Sequence, residues 1–327
     1  MGEFELLARI RERLPTGGDR LFLGSGDDAA VTVPGGATAT SVDAVVEGVH
    51  FRRDRASLAQ IGHKAMAAAL SDLAAMGAGS GEAYVVLGVP PDLDEDGCLE
   101  LLDGMLAIAD ATETSLAGGD VTRAGELFLA ITVVGHAAAA GQLVQRAGAR
   151  PGNALVLSGE IGGAAAGLLL LERPDLGASL PPRVADALRR RQLEPQPRLE
   201  AGRALAEAGA TAMIDLSDGL GGDAAHLAER SGAGLRIDAT ALPIAAGVAE
   251  VAAAAGRDPI ALAASGGEDY ELLAALPASK VAEATDRLRE VSDLRLTPVG
   301  EIVAGSGVEI RLPDCRLLEP VGFDQLA

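Results

Sequence analysis

Two hydrophobic periods alternate along this chain. Phe4, Leu7, Ile10 and Leu14 recur at helical spacing and predict an amphipathic helix over residues 1–14. Residues 37–46, ATATSVDAVV, predict a strand. Ser57 stands where a helix N-cap belongs, and Gly77 supplies a stop after Met76. Residues 82–89 read as a strand, 95–111 as a helix, 116–123 as a turn and 126–135 as a strand. Further on, ALVLSG is a strand, GGAAAGLLLLE a helix and PDLGASLPPRV a surface loop. Helices follow at about 184–190 and 197–209, then the strand AMID, the loop LSDGLGG and a helix to Arg230. GLRID is a strand, SGGEDYELLAALP a turn feeding a strand, and TPVGEIV and GVEIRL are late strands. Small residues and a Gly-Pro punctuation over 136–153 predict a junction. The reading is an α/β (α+β) chain with domains 1–140 and 141–327.

Composition narrows the function. Of 327 residues 48% are hydrophobic but only 2% aromatic, with no Trp, so the core is aliphatic and alanine-rich. The 42 glycines exceed ordinary usage and mark turns or close backbone approaches. A net charge of −20 argues against nucleic-acid or anionic-membrane partners, which need basic surface. Cys98 and Cys315 stand far apart with no metal-binding spacing and read as free thiols in a reducing compartment. No apolar run is long enough to span a bilayer, and residues 1–14 carry no secretory core, so the expected location is cytoplasmic.

The chemistry lies in acids beside glycines: Gly24-Ser-Gly-Asp27-Asp28, Ser41-Val42-Asp43, Gly118-Gly119-Asp120, and Asp215-Leu-Ser217-Asp218-Gly219. Asp72 adds a fifth element. It shares a helix face with Ile61, Ala65, Ala68 and Ala69, near a helix C-terminus, where the dipole disfavours an anion. A carboxylate there calls for a cation, or for a capping role in a neighbouring loop. Mg²⁺ takes oxygen ligands and is commonly shared between a few carboxylates and substrate phosphates. No Walker A motif is present. GSGDDA fits a loose dinucleotide pattern, but its two aspartates repel a pyrophosphate unless a metal intervenes. His50 closes the Asp43 region and is a ligand-contact candidate; His63, His136 and His226 read as packing or surface residues. Arg146 or Arg150 suits a phosphate. Glu268 sits in a Gly-Gly-Glu-Asp-Tyr turn before an apolar run.

Taken in order, GDDAAV, SVDAVVEGVHF, IGHKAMAAALSDLAAMGA, GGDVTR, RAGARPGN, IDLSDGL and SGGEDYEL resemble the thiamine-monophosphate kinases, of the aminoimidazole-ribonucleotide (AIR) synthetase-like superfamily. The resemblance spans nearly the whole chain. It implies an amino-terminal mixed-sheet domain that pairs across a homodimer, and a carboxy-terminal α/β domain. It implies ATP-dependent phosphorylation of thiamine monophosphate, with ATP held through several Mg²⁺ ions. By the same resemblance Asp27, Ser41, Asp43, Asp72, Asp120, Asp215 and Asp218 are metal ligands, with the Val42 main chain a further one. Asp43, Asp72 and Asp120 are the catalytic metal holders. Gly119, Asp120, Arg146 and Ser217 contact ATP; His50, Glu268 and Phe323 contact the thiamine side. Two positions depart from the family. Thr112 stands where a Tyr near the adenine is usual, and Val121 stands where a Thr is usual. An acceptor that is already a phosphate needs no general base, so in-line transfer is expected to rest on positioning and charge neutralisation. The alternatives are another ATP-dependent synthetase of the superfamily, and a non-enzymatic acidic cation-binding protein.

Overall fold

Strand periodicity and helix caps build a four-stranded, a seven-stranded and a two-stranded sheet among the described residues. The computed structural model describes residues 3–14, 20–23, 30–33 and 35–323. It divides into two compact units, 1–73 with 78–140, and 74–77 with 141–327. No described helix is long and apolar enough to cross a membrane.

The first unit contains α1 (Glu3–Arg11), β1 (Leu21–Leu23), β2 (Val31–Thr32), β3 (Ala37–Val46), α2 (Leu58–Ala75), β4 (Gly79–Val89), α3 (Glu95–Ala111), β5 (Ser115–Arg123) and β6 (Phe128–Ala137). The four long strands form one sheet in the order β3-β6-β4-β5. β6 pairs antiparallel with β3 and β4, while β5 runs parallel to β4 after the crossover helix α3. Ser57 caps α2 reciprocally: its Oγ accepts from Gln60 N and its N–H donates to Gln60 Oε1. Gly77, at φ +64°, ends the helix: its N–H donates to the Ala74 carbonyl and that of Ala78 to the Leu73 carbonyl. α2 is buried almost all round, from Ile61 through Met66 and Leu70 to Leu73. A Cβ on Gly62 would overlap the Leu101 carbonyl, and one on Gly104 the Ala59 carbonyl. α2 and α3 therefore cross backbone against backbone. Val42 and Val86 stand exposed on the strands, at 66% and 38%.

The second unit contains β7 (Asn153–Ser158), α4 (Gly163–Glu172), α5 (Pro182–Leu193), α6 (Leu199–Ala208), β8 (Ala212–Asp215), α7 (Leu220–Ser231), β9 (Gly234–Asp238), α8 (Val248–Ala254), α9 (Pro259–Ser265), β10 (Leu272–Pro277), α10 (Val281–Val291), β11 (Leu296–Val303), β12 (Val308–Arg311) and β13 (Leu317–Leu318). The sheet order is β13-β12-β9-β11-β7-β10-β8. β7 lies between two antiparallel neighbours and is apolar from Ala154 to Leu157, with Leu155, Val156 and Leu157 fully buried.

Two expectations are corrected. Residues 116–123 form the edge strand β5, not a turn. Paired glycines weaken a strand signal, but Gly119 is needed there because a Cβ would overlap the Val85 carbonyl of β4. The supposed surface loop PDLGASLPPRV carries a short 3₁₀ turn, Pro174–Gly177, and the start of α5. Helices α8, α9 and α10 were not expected. The first two are so alanine-rich that no apolar stripe stands out.

Candidate active site

In the first unit, Ser41 and Asp43 are two apart on β3 and so share a face of the sheet. Asp72 belongs to the last turn of α2, where no basic residue answers its charge. The Ser41 hydroxyl donates to Asp72 Oδ2 at 2.5 Å, which joins the strand pair to the helix end. Asp43 Oδ1 accepts from Ala44 N at 2.8 Å. Val42 is on the same edge strand. Lys64, buried, donates to the His50 carbonyl at 3.2 Å. His50 Nδ1 accepts from Val46 N at 3.1 Å, so in the neutral ring Nε2 carries the proton.

Asp120 is elsewhere on the same sheet. Register links Asp43 to Ile131, Ile131 to Val85 and Val85 to Gly119. Gly119-Asp120 thus stands three strand spacings from Asp43, about 14 Å, and one ion cannot be held by both aspartates within a copy. Beside Asp120 a cavity of about 550 Å³ opens. Leu7 and Ile10 of α1, Leu102 and Met105 of α3, and the Gly118–Val121 backbone line it, with an aromatic ring from Tyr84. It has the size and apolar walls of a small-molecule pocket with polar groups at one side. Thr112 is not among its lining residues. Its hydroxyl bonds the Ile108 and Ala109 carbonyls and Thr114 Oγ1 at the end of α3.

In the second unit, Asp215 ends β8, buried at 2% exposure, and the chain turns through Ser217 and Asp218 into α7. Gly219 (φ +108°, ψ 151°) makes a turn open only to glycine. Asp223, which the sequence did not single out, holds this loop: its Oδ2 accepts from Asp218 N at 3.1 Å and Gly219 N at 3.0 Å. Burial, together with the neighbouring Asp215 and Asp218 charges, pushes the Asp223 carboxyl up to about 8. Burial also raises the Asp218 carboxyl, with Glu268 adding to the rise and His226 and Arg146 pulling it down. Arg146 is thereby near enough to Asp218 to act on it. The cluster is carboxylate-rich for the cations around it.

The loop at 266–271 is zipped to 216–218: Glu268 N donates to Ser217 O and Tyr270 N to Leu216 O. Glu268 and Tyr270 both adopt positive φ, at 67° and 50°. Two carboxylates, Asp269 and Glu271, pin this strained backbone. Asp269 caps α4, accepting from Gly162 N and Ala164 N. Burial pushes its carboxyl up to about 7 despite those two donors. Glu271, fully buried, takes both arms of the Arg198 guanidinium and the Ser158 hydroxyl. Gln192 reaches Glu268 Oε2 at 2.5 Å. Phe323 N donates to Asp218 O at 2.9 Å, so the exposed Phe323 sits against the Asp218 backbone. Gly221 and Gly222 open α7 because Val321 and Gly322 lie on them.

The structure therefore gathers Ser41, Asp43 and Asp72 in one unit, and Asp215, Ser217, Asp218, Glu268 and Phe323 in the other, with Arg146 near Asp218. Asp27 lies outside the described residues. Among the described residues no three acidic, histidine or cysteine side chains form a ready-made metal cage.

Residues 26–137 match the AIR synthase related protein, N-terminal domain, and residues 150–313 its C-terminal domain. The chain belongs to the AIR-synthase-related proteins and has their fold. A thiamine-monophosphate kinase from Mycobacterium tuberculosis is 36% identical over 282 residues, 84% of this chain and 80% of that relative. The crystal structure of thiamine-monophosphate kinase from Stenotrophomonas maltophilia K279a has TM-score 0.84 and 36% identity, covering 95% of this chain and 96% of that one. AaThiL complexed with AMPPCP and TMP has TM-score 0.77 and 28% identity, covering 98% and 96%. Within the AIR-synthase-related proteins, the chain is a member of the thiamine-monophosphate kinase family.

Proposed function

We propose that this protein transfers the γ-phosphate of ATP directly onto the phosphate of thiamine monophosphate, giving ADP and thiamine diphosphate. The observation that carries the reading is Asp72: a carboxylate at a helix C-terminus without a basic residue in that turn, hydrogen-bonded to Ser41 on the strand that also bears Asp43. Such an oxygen cluster fits a divalent cation. Asp27, Ser41, Asp43, Asp72 and the Val42 main chain would hold Mg²⁺ in the first unit, and Asp215 and Asp218 in the second. Burial is the main cause of the upward push on the Asp223 and Asp218 carboxyls, and a bound cation beside them would offset it. When bound, the ions supply charge neutralisation between two polyanions.

Asp120, about 14 Å from Asp43 by strand count, serves a separate ion on the nucleotide side. Gly119 and the cavity beside it receive the nucleotide, with apolar walls and Tyr84 in place of the aromatic missing at Thr112. Arg146 and Ser217 face the triphosphate. His50, Glu268 and Phe323 face the acceptor. No side chain needs to act as a nucleophile, since the acceptor oxygen is already anionic. Exposed Val42 and Val86 support a homodimer paired through the sheet of the first unit. ATP as co-substrate fits a cytoplasmic location.

The test is product analysis. With ATP and Mg²⁺, thiamine monophosphate should yield ADP and thiamine diphosphate, and free thiamine should yield nothing. Phosphorylation of free thiamine alone would overturn the acceptor assignment.

A further inference from the structure

Gln192 ends α5 in a run of arginines, where a glutamine reads as surface filler. It is instead buried, at 4% exposure. Gly167 makes this possible: a Cβ there would overlap the Leu188 carbonyl and press on Gln192 Cβ, so α4 and α5 approach closely enough for Gln192 to reach the 266–271 loop. Its Nε2 stands 2.5 Å from Glu268 Oε2. Only the amide nitrogen can donate to a carboxylate, which fixes the orientation of the amide.

The Glu268 backbone does not depend on this bond. The bond from its N–H to Ser217 O, the Asp269 cap on α4 and the Glu271–Arg198 pair already hold the loop. What Gln192 adds is the direction of the Glu268 carboxylate. We propose that Gln192 is a positioning residue for the acceptor: it fixes the rotamer of Glu268, and so sets the affinity for thiamine monophosphate while leaving ATP and the transfer step alone. This rests on the assignment of Glu268 to the acceptor side. A carboxylate held in one rotamer presents its charge to a cationic heteroaromatic ring without losing rotamer freedom on binding.

The experiment is steady-state kinetics on wild type, Gln192→Leu, Gln192→Met, Glu268→Ala and the Gln192→Leu/Glu268→Ala double variant, with each substrate varied in turn. Loss of a charge-assisted hydrogen bond from the buried Gln192 to the half-buried Glu268 predicts about a tenfold rise in KM for thiamine monophosphate in both Gln192 variants. KM for ATP and kcat should stay within about twofold. In the Glu268→Ala background, Gln192→Leu should add less than about twofold, because nothing remains to orient. Gln192→Met, close in shape, guards against a packing defect. The proposal is overturned by an unchanged KM, by a parallel fall in kcat or rise in KM for ATP, or by additive effects in the double variant. Wild type inactive on thiamine monophosphate would overturn the proposed function itself, and this inference with it; that arm separates the two failures.

Discussion

Arg198→Met is the sharpest test of how the 266–271 loop is held. Glu271 has a side chain only 1% exposed, and Arg198 is 21% exposed. The guanidinium reaches it twice, Nη2 to Oε1 at 2.6 Å and Nε to Oε2 at 3.1 Å. Ser158 Oγ donates to Oε2 at 2.7 Å and accepts from Leu272 N, tying the pair to β7 and β10. Methionine removes both charged donors and leaves an ionised carboxylate buried with one hydroxyl. Breaking a buried pair in this way costs about 3–5 kcal/mol. For a unit of this size each kcal/mol lowers Tm by roughly 2–4 °C, so the fall should be about 6–20 °C. Thermal melts followed by circular dichroism would measure it. The Arg198→Met/Glu271→Met double variant should recover most of the loss, because replacing both partners by apolar groups is often neutral. A single variant melting within about 2 °C of wild type, or a double variant as unstable as the single, would refute the reasoning.

Asp72→Asn keeps the shape at the end of α2 and its bond to Ser41 but removes the charge. Turnover should fall at least about a hundredfold, some 3 kcal/mol of transition-state stabilisation, with Tm little changed; near-normal kcat would contradict a metal role. Asp269→Asn tests the buried cap. Its carboxyl binds a proton more tightly folded, at about 7, than unfolded, at the ordinary 3.8, so wild-type stability should fall as pH rises between those values. Relative to Asp269→Asn, which cannot titrate, wild type should lose about 2 kcal/mol between pH 5 and 7, read from urea unfolding. Parallel stability curves for the two proteins would count against the raised value.

Sequence patterns carried the regular elements well where side-chain contrast was strong. β3 and β9 begin and end where their alternation does, and Ser57 and Gly77 bracket α2 by cap chemistry alone. The signal failed where residues were small. Gly118-Gly119 lies in a strand because the main chain of β4 presses on it, a tertiary reason invisible in local composition. α8 and α9 lack contrast between faces. For the candidate site, Asp72 stood out because an acid on an apolar helical stripe violates burial chemistry, and the structure sets it in the last turn of α2 against Ser41. Asp223 was not. An acid in the first turn of a helix is ordinary dipole complement, and only folding shows that it bonds the loop before it. Gln192 and Arg198 were hidden for another reason: their partners lie 76 and 73 residues away.

The glycine-to-carbonyl crossing of α2 and α3 reaches beyond packing. Gly62 is ten residues before Asp72, about 15 Å along one continuous rod. A methyl group at Gly62 or Gly104 would act as a wedge, and the rod would swing its far end. Residues that touch no ligand would then behave as though they did. A screen for dead variants would score these two glycines alongside the aspartates, and only a melting curve close to wild type would tell a tilted lever from a missing charge.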